Sequence, residues 1–244
     1  MEGFGYSSYG ERIAERYDRD LANLGAEDAV AVLGDLAGKG PVLELGIGTG
    51  RVALPLAASG LEVHGIDASP AMVAKLRAKP GGGAITISIG NFGPLAVDGA
   101  FSLIFVVFNT FFALLSQAEQ AECFRRVAEH LHPGGRFVVE AFVPDPTLFE
   151  RGQRVGVGRI TLDQVELVVT RHDRARQTVT SQEIHLSTDR VEFVPVVLRY
   201  AYPAELDLMA RLAGLSLESR WGGWQRQPFT SESSSHVSVY RLAP

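Results

Sequence analysis

The stretch VLELGIGTGR, from Val42 to Arg51, is a short apolar run that ends in an acid and leads into three alternating glycines. An apolar strand followed by a glycine-rich turn is typical of the edge where open parallel sheets bind ligands. The dinucleotide fingerprint G-x-G-x-x-G would have its third glycine where this chain has Arg51. Glu44, just before the turn, disfavours a pyrophosphate and favours ammonium or sulfonium charge. The turn therefore predicts a cationic ligand.

Asp67 follows the next apolar run, LEVHGI, 21 residues after Gly46. A carboxylate at that strand end can accept hydrogen bonds from both hydroxyls of a ribose. The glycines could instead only permit tight strand-to-helix packing, and Asp67 could simply precede a helix. The combination of turn and acid favours a nucleoside site over packing alone.

The apolar runs between Pro41 and Phe142 are continuous rather than alternating. Such runs predict strands that are buried on both faces, as in a parallel sheet covered by helices, so the fold class is α/β. Helices are predicted over 11–21, 26–36, 117–131 and 203–215. Ser69 and Pro70 have the N-cap and first-turn pattern of a further helix.

After Phe142 the pattern changes to segments rich in Val, Thr and Ile. Three of them, 159–171, 177–187 and 190–200, are separated by turn residues and predict an antiparallel three-stranded meander. Two closing strands follow the helix over 203–215. The predicted divisions are an N-terminal helical cap (1–40), a ligand-binding core (41–150), the inserted meander (151–202) and a closing part of the core (203–244).

Composition indicates a small-molecule ligand. The 244 residues carry a formal net charge of -5, and the Lys and Arg residues are scattered, so no nucleic acid or anionic membrane partner is expected. The apolar run 101–116 is too short to span a bilayer. A single cysteine, Cys123, predicts a buried thiol in a reducing compartment, and the absence of a signal-like N-terminus predicts a cytoplasmic location. The six histidines have no spacing that predicts a metal site.

Together, ELGIGTG with Asp67, GNF at 90–92 and LHPGGRFVVE at 131–140 resemble the successive motifs of class I S-adenosylmethionine-dependent methyltransferases. The resemblance implies a Rossmann-like, doubly wound, mostly parallel sheet of seven strands, with the last strand antiparallel and inserted between the fifth and sixth. The meander would follow the fifth strand. The implied cofactor is S-adenosyl-L-methionine, with S-adenosyl-L-homocysteine as product.

The resemblance also implies a set of cofactor-binding residues: Tyr17, Glu44, Gly46, Gly48, Gly50, Asp67, Ala68, Met72, Asn91, Phe92, Val107, Phe108 and Asn109. The glycines would let the backbone approach the methionine part, Glu44 would face its ammonium group, and Asp67 would hold the ribose. Ala68 and Met72 would flank the adenine, with Asn91 and Phe92 at its edge. The residues from Val107 to Asn109 would line the sulfonium end. Tyr17 would cover the methionine carboxylate, with Tyr9 as a weaker candidate.

Asn91 departs from the family pattern, which commonly has Asp there. Its side-chain oxygen can still accept a hydrogen bond from the adenine amino group, although its amide could point the other way. Candidate substrate contacts are Phe111, Phe112, His172, Trp221 and Trp224, with core packing or a structural role as the alternative for each.

The sequence identifies no catalytic base. Methyl transfer from a sulfonium depends mainly on positioning, so a base is optional. The leading hypothesis is a methyltransferase that acts on N, O or C of a small molecule, with a specialised metabolite as the expected acceptor. The alternative is a protein that binds S-adenosylmethionine without methylating, or a non-methylating enzyme such as a pericyclase; a nicotinamide oxidoreductase is disfavoured by Arg51 and Glu44. The meander is expected to cover the site or to pair with its copy in a homodimer.

Overall fold

A computed structural model describes residues 1, 3–21 and 25–242 of the chain. In these residues the helices are α1 (Ser8–Ile13), α2 (Tyr17–Asp20), α3 (Glu27–Ala37), α4 (Ala53–Ala58), α5 (Pro70–Arg77), α6 (Gln117–His130) and α7 (Pro203–Leu212). The strands are β1 (Val42–Leu45), β2 (Val63–Asp67), β3 (Thr86–Ile89), β4 (Phe101–Val106), β5 (Leu131–Phe142), β6 (Gln153–Ile160), β7 (Gln164–Asp173), β8 (Thr178–Ser187), β9 (Val191–Arg199), β10 (Leu215–Trp221) and β11 (Ser235–Leu242).

Seven strands of the described chain form one sheet in the order β10-β11-β5-β4-β1-β2-β3. Strands β1 to β5 pair in parallel, whereas β11 lies antiparallel to both β5 and β10. The last strand is thus inserted between the fifth and sixth of this sheet, which confirms the predicted α/β class and strand order. All four residues of β1 are buried, as continuous apolar strands in a covered parallel sheet require.

Helices on both faces of this sheet form the hydrophobic core. One face packs side chains of α6 and α7, including Phe124 and Leu206, against the sheet. The other face packs α3 and α4, including Leu33 and Leu56. The predicted start of α5 is confirmed, because the Ser69 hydroxyl accepts the Met72 amide at 3.2 Å and Pro70 occupies the first turn.

The second sheet has four strands in the order β6-β7-β8-β9, all antiparallel, rather than the three predicted. The additional strand is β6, whose sequence QRVGVGRI contains two glycines. Glycine is depleted in strands, so the β propensity of this segment is too low to predict strand β6. Cross-strand pairing with β7 stabilises it nonetheless: Gly156 lies opposite Val168, and a side chain at position 158 would press on Glu166.

The N-terminal helical segment predicted over 11–21 is two short helices, α1 and α2. Each is held by a different neighbour. Gly10 of α1 packs closely on Ser69 and Met72, whereas Asp18 of α2 accepts hydrogen bonds from Thr49 at 2.5 Å and pairs with Lys79 at 2.6 Å. These competing contacts break what the sequence pattern presents as one helix.

No helix in the described residues has the length and apolar character needed to cross a membrane.

Candidate active site

A cavity of about 350 Å³ opens at the carboxyl ends of β1 and β2, between the parallel sheet, the N-terminal helices and the second sheet. Its walls come from five separate parts of the chain: Phe4, Tyr6, Tyr9, Gly10, Tyr17; Gly46, Gly48, Asp67, Ala68, Ser69, Met72; Asn91, Phe92; Phe108, Asn109, Thr110, Ala113; and Glu183, Val196, Val197, Leu198. Cavities of this size hold small ligands, and switch points of parallel sheets are where they occur.

The glycine turn after β1 brings backbone to the cavity floor. Gly46 and Gly48 have φ of +75° and +55°, a region that side chains rarely adopt. A Cβ at Gly46 would overlap the methyl group of Thr110, whereas one at Gly48 would project into open space. The cavity therefore reaches the backbone at Gly48, and a side chain at this position would occupy part of it.

The Asp67 carboxylate supports this turn from the end of β2. One oxygen accepts the Gly48 amide and the other accepts the Ser69 amide, both at 2.8 Å. Burial raises the pKa of Asp67, and the backbone donors oppose that rise. Each carboxylate oxygen retains a lone pair for a further donor, as a ligand diol would supply.

Glu44 lies behind the turn rather than in the cavity wall. It is 3% exposed, and its Oε2 atom has no hydrogen-bond partner in the described chain. Burial raises the pKa of this carboxyl well above its ordinary value, and Arg51 opposes the rise. An unsatisfied buried carboxyl oxygen is costly, so it attracts a positive group to this side of the site.

Tyr9 and Tyr17 bring aromatic rings from the N-terminal helices to the cavity. Burial raises the pKa of both phenols, so both hydroxyls stay neutral and are available to donate a hydrogen bond to a ligand. Tyr17 is held near the glycine turn because the next residue, Asp18, bonds Thr49 and Lys79.

The backbone after β4 turns sharply into the cavity wall. Phe108 and Asn109 both have positive φ, +56° and +65°, which is strained for residues other than glycine. Glu140 of β5 secures this turn, because its carboxylate accepts the Phe108 amide at 2.8 Å and its carbonyl accepts the Asn109 amide at 3.3 Å. Asn109 in turn accepts the Phe142 amide at 2.7 Å. Glu140 therefore supports the site without lining it.

Asn91 lies in the cavity wall, and its side-chain oxygen accepts the Gly93 amide at 3.0 Å. The hydroxyl of Tyr6, another residue of the cavity wall, donates to Glu119. The acceptor oxygen of Asn91 is therefore partly occupied by its own loop.

Ten of the residues expected to hold the cofactor line one cavity: Tyr17, Gly46, Gly48, Asp67, Ala68, Met72, Asn91, Phe92, Phe108 and Asn109. Glu44, Gly50 and Val107 stand behind its wall. Val107 is buried in the core, and a side chain at Gly50 would meet Leu54 and Leu76, so that glycine serves helix packing.

The residues expected to contact substrate lie elsewhere. Phe111 and Phe112 are fully buried in the core, because the turn at Phe108 and Asn109 directs the following side chains inward. His172 bonds the Tyr200 hydroxyl at 2.8 Å and stacks near Phe149. Trp221 and Trp224 pack against the core beside α3 and α4. All five residues lie where the alternative interpretation, core packing or a structural role, places them.

The sequence prediction missed the cavity residues Phe4, Tyr6, Gly10, Ser69, Thr110, Ala113, Glu183, Val196, Val197 and Leu198. In the N-terminal segment GFGYSSYG, the aromatic residues were the sequence signal that could have predicted this part of the cavity wall. Glu183 was a single acid in the polar strand TVTSQEIHLS, and nothing in that strand alone sets it apart.

Comparisons with known proteins agree with this geometry. Residues 42–135 match a family described as a methyltransferase domain. The chain is 31% identical over 201 residues to the cypemycin N-terminal methyltransferase of a Streptomyces species, a match that covers 81% of each chain. The CcbJ methyltransferase of Streptomyces caelestis is 41% identical with a TM-score of 0.93, covering 99% of this chain and 100% of that one. CalS10, an amino pentose methyltransferase from Micromonospora echinaspora solved with S-adenosylmethionine bound, shares the fold at 21% identity and a TM-score of 0.69, covering 93% and 96%.

Proposed function

The chain belongs to the class I S-adenosylmethionine-dependent methyltransferases, and on that premise we propose that it methylates a small molecule, a specialised metabolite, by in-line displacement. The observation that carries this proposal is the cavity itself. It is one continuous cavity, lined by the glycine turn, the Asp67 carboxylate, the N-terminal helices and strands β8 and β9 of the second sheet. We assign the part beside the glycine turn and Asp67 to the donor, as the donor compartment, and the part walled by the N-terminal helices and the second sheet to the acceptor, as the acceptor compartment.

The residues present fit S-adenosylmethionine. Asp67 offers lone pairs to a ribose, and the unpartnered Oε2 atom of Glu44 offers a hydrogen-bond acceptor behind the methionine end. Gly46, Gly48, Ala68, Met72, Asn91 and Phe92 complete the donor compartment. When bound, S-adenosylmethionine supplies a methyl group activated by the sulfonium, and S-adenosylhomocysteine is the expected product.

Positioning is the main contribution expected from this chain. The strained turn at Phe108 and Asn109, fixed by Glu140, presents rigid backbone where the two compartments meet. Holding a nucleophile about 3 to 3.5 Å from the methyl carbon can lower the barrier by about 7 to 11 kcal/mol. Tyr9 and Tyr17, both neutral, add hydrogen-bond donors without positive charge that would repel a sulfonium.

The acceptor class is supported by two features. One relative is an N-terminal methyltransferase that acts on cypemycin, and its match to this chain, over 201 residues, extends well beyond the donor-binding half. The acceptor compartment is walled by aliphatic and aromatic side chains, including Tyr9, Val196 and Leu198. Such a wall suits an organic molecule of modest size. We expect the reaction to occur in the cytoplasm, since the single cysteine, Cys123, is free and buried.

Labelled S-adenosylmethionine and a metabolite panel provide the direct test. We expect binding of S-adenosylmethionine but not NADH in calorimetry, together with label in a metabolite and release of S-adenosylhomocysteine. Binding of the donor with no methylated product from any extract or panel member would instead support the role of a binding protein or non-methylating enzyme. Tight NADH binding would contradict both.

Gly48→Ala is expected to weaken binding of S-adenosylmethionine while keeping the fold, because the new methyl group enters the open space over the turn. Gly214→Ala is the matched control, since Gly214 also has positive φ, +79°, and faces open space outside the cavity. Both variants should lose about 1 to 2 kcal/mol of stability from backbone strain. Equal donor affinity in the two variants, measured by calorimetry, would remove Gly48 from the donor site.

We also propose that the chain forms a homodimer through the second sheet. Its outward face carries cross-strand rows of apolar residues, one running Val157, Leu167, Ile184, Phe193 and the next Ile160, Val165, Leu186, Val191. Opposite residues of paired strands share a face, so these rows form one patch. Val157 is 60% exposed and Phe193 47%, and apolar patches of this extent are unusual on monomers.

A charge on this face should dissociate the dimer. Light scattering is expected to give a dimer for the unmodified chain and a monomer for Phe193→Glu, because a carboxylate would be buried against apolar side chains. Leu212→Glu is the control, since Leu212 is 77% exposed on α7, away from this sheet. A monomeric unmodified chain at micromolar concentration would overturn the assembly proposed.

A further inference from the structure

Glu183 is an acid in the acceptor compartment, contributed by the second sheet. It lies in β8 directly opposite Val194 of β9, so the two side chains share a face. Val194 is fully buried against Ile13 and Met72, which fixes that face toward the N-terminal helices and the cavity. The Glu183 side chain is accordingly part of the cavity wall.

The side chain of Glu183 forms no hydrogen bond and no ion pair with the rest of the described chain. Burial raises the pKa of its carboxyl; His185 and Arg16 oppose the rise, whereas Glu166 and Asp20 add to it. Of these neighbours none lines the cavity, but Tyr9, which does, lies close enough for its phenol to sense the Glu183 charge. A half-buried carboxyl without a partner is incomplete until a ligand supplies one.

The charges of the cavity lining have one sign. Asp67 and Glu183 are its acids, and among the lining residues that the structure describes there is no Lys, Arg or His. Asp67 is committed to the glycine turn through two backbone amides, whereas Glu183 is not committed to anything. The acceptor compartment therefore favours a cation and would repel a carboxylate or phosphate acceptor.

We propose that Glu183 binds the amino group of the methyl acceptor and removes its proton, so that the substrate class is a primary or secondary amine. This assignment rests on the proposed function. The acceptor enters as an ammonium ion that donates to the Glu183 carboxylate. One proton moves from nitrogen to a carboxylate oxygen, which leaves a neutral amine and a neutral carboxyl. The amine lone pair forms the new N–CH₃ bond as the sulfonium C–S bond breaks and its electron pair stays on sulfur.

The surroundings favour this proton transfer. In water an amine holds its proton far more tightly than a carboxylic acid does. In a cavity that penalises both charges, the pKa of the carboxyl rises and that of the amine falls, so the neutral pair becomes accessible. An alcohol gains no such activation, because its proton is much less acidic than an ammonium proton.

Glu183→Gln tests the assignment, with Glu192→Gln as the matched control. Glu192 lies on the same face of the second sheet, lines no part of this cavity and pairs with Arg16 at 3.9 Å. The probes are amino sugars, amino acid amides and cyclic secondary amines, each paired with its hydroxyl analogue, offered to the protein loaded with labelled S-adenosylmethionine. We expect methylated amines only, and a loss of about 100-fold to 10,000-fold in kcat/KM for Glu183→Gln.

Two further readouts separate the possible failures. Donor affinity should stay within about 2-fold in Glu183→Gln, and Glu183→Asp should recover part of the activity. If the hydroxyl analogues are methylated as well as the amines, the amine assignment is wrong. The proposed function would still stand in that case, provided that the protein binds S-adenosylmethionine. Activity in Glu183→Gln equal to that of Glu192→Gln would remove Glu183 from the reaction. Loss of donor binding in the unmodified protein would instead refute the proposed function.

The pH dependence gives an independent test. A protonated Glu183 can neither pair with an ammonium ion nor take its proton, so kcat/KM should fall as the pH drops through the raised pKa of Glu183. That acid limb should disappear in Glu183→Gln. The His185 imidazole is close enough to act on the Glu183 carboxyl electrostatically, so His185→Asn is the control and should retain the acid limb. An acid limb that follows His185 rather than Glu183 would contradict the proposal.

Discussion

Asp67→Ala is expected to weaken binding of S-adenosylmethionine by about 1.5 to 3 kcal/mol, or about 10-fold to 150-fold in Kd. Two effects add. The ribose loses a charged acceptor, and the Gly48 and Ser69 amides lose the carboxylate that holds the glycine turn in place. Calorimetry with S-adenosylmethionine and S-adenosylhomocysteine measures the loss, which should be similar for both ligands because both carry the ribose.

The control for this prediction is Asp173→Ala. Asp173 also accepts two backbone amides, those of Ala175 and Arg176 at 3.0 Å, but in the turn between β7 and β8. Both variants should be less stable because two backbone amides of a turn lose their carboxylate acceptor. Only Asp67→Ala should also bind the donor more weakly. If the two bind the donor equally well, Asp67 does no more than support the turn.

The donor half of the site could be predicted because its chemistry lies in contiguous sequence. The glycine turn directly follows β1 and Asp67 ends β2, so one strand-and-turn pattern fixes both positions relative to the sheet. The continuous apolar runs predicted the α/β class, whereas the strand order was implied by the resemblance to the methyltransferase family. Whether each residue contacts the donor stays a prediction.

The acceptor half could not be predicted, because it depends on contacts between distant segments. In TVTSQEIHLS both faces of the strand carry polar as well as apolar residues, so the sequence does not say which face meets the cavity. The register with Val194 and the packing of Val194 on Ile13 decide it. Glu183 therefore acquires its position only from the tertiary fold.

Aromatic residues near the site misled the prediction for a physical reason. A run such as FNTFF suits a pocket wall and a hydrophobic core equally well. The left-handed turn at Phe108 and Asn109 directs Phe111 and Phe112 into the core and leaves Phe108 in the cavity. Two successive residues with positive φ are rare, and no glycine marks them here.

Glu205→Gln is expected to lower the free energy of unfolding by about 3 to 5 kcal/mol, since it leaves the buried charge of Arg199 without its counter-charge. Arg199, at the end of β9, is 5% exposed, and its guanidinium meets Glu205 of α7 at 2.6 Å. It also donates to Gln120 of α6 at 2.5 Å and to Gln177 at 3.1 Å. Chemical denaturation measures the loss.

Two comparisons show whether burial is the cause. Glu129→Gln removes a partner of Arg125 and Arg126 on the exposed face of α6 and should cost at most about 1 kcal/mol. The double variant Arg199→Met with Glu205→Leu should be more stable than Glu205→Gln alone, because it leaves no unpaired charge. A double variant less stable than the single one would show that the hydrogen bonds to Gln120 and Gln177 dominate instead.

The same ion pair connects stability to the site and to pH. Burial alone would raise the pKa of Glu205, but hydrogen bonds from Arg199, Gln177 and Gln117 hold it below its ordinary value. The contribution of Glu205 to the free energy of unfolding is therefore complete above the ordinary carboxyl pKa, and it is lost as the pH falls through the lowered pKa.

Glu205→Gln should also affect the site, because Arg199 directly follows Val196, Val197 and Leu198 of the cavity wall. The variant should raise KM for the acceptor more than Kd for the donor. Equal changes in the two constants would mean that this ion pair supports the whole fold and not the position of β9 over the acceptor.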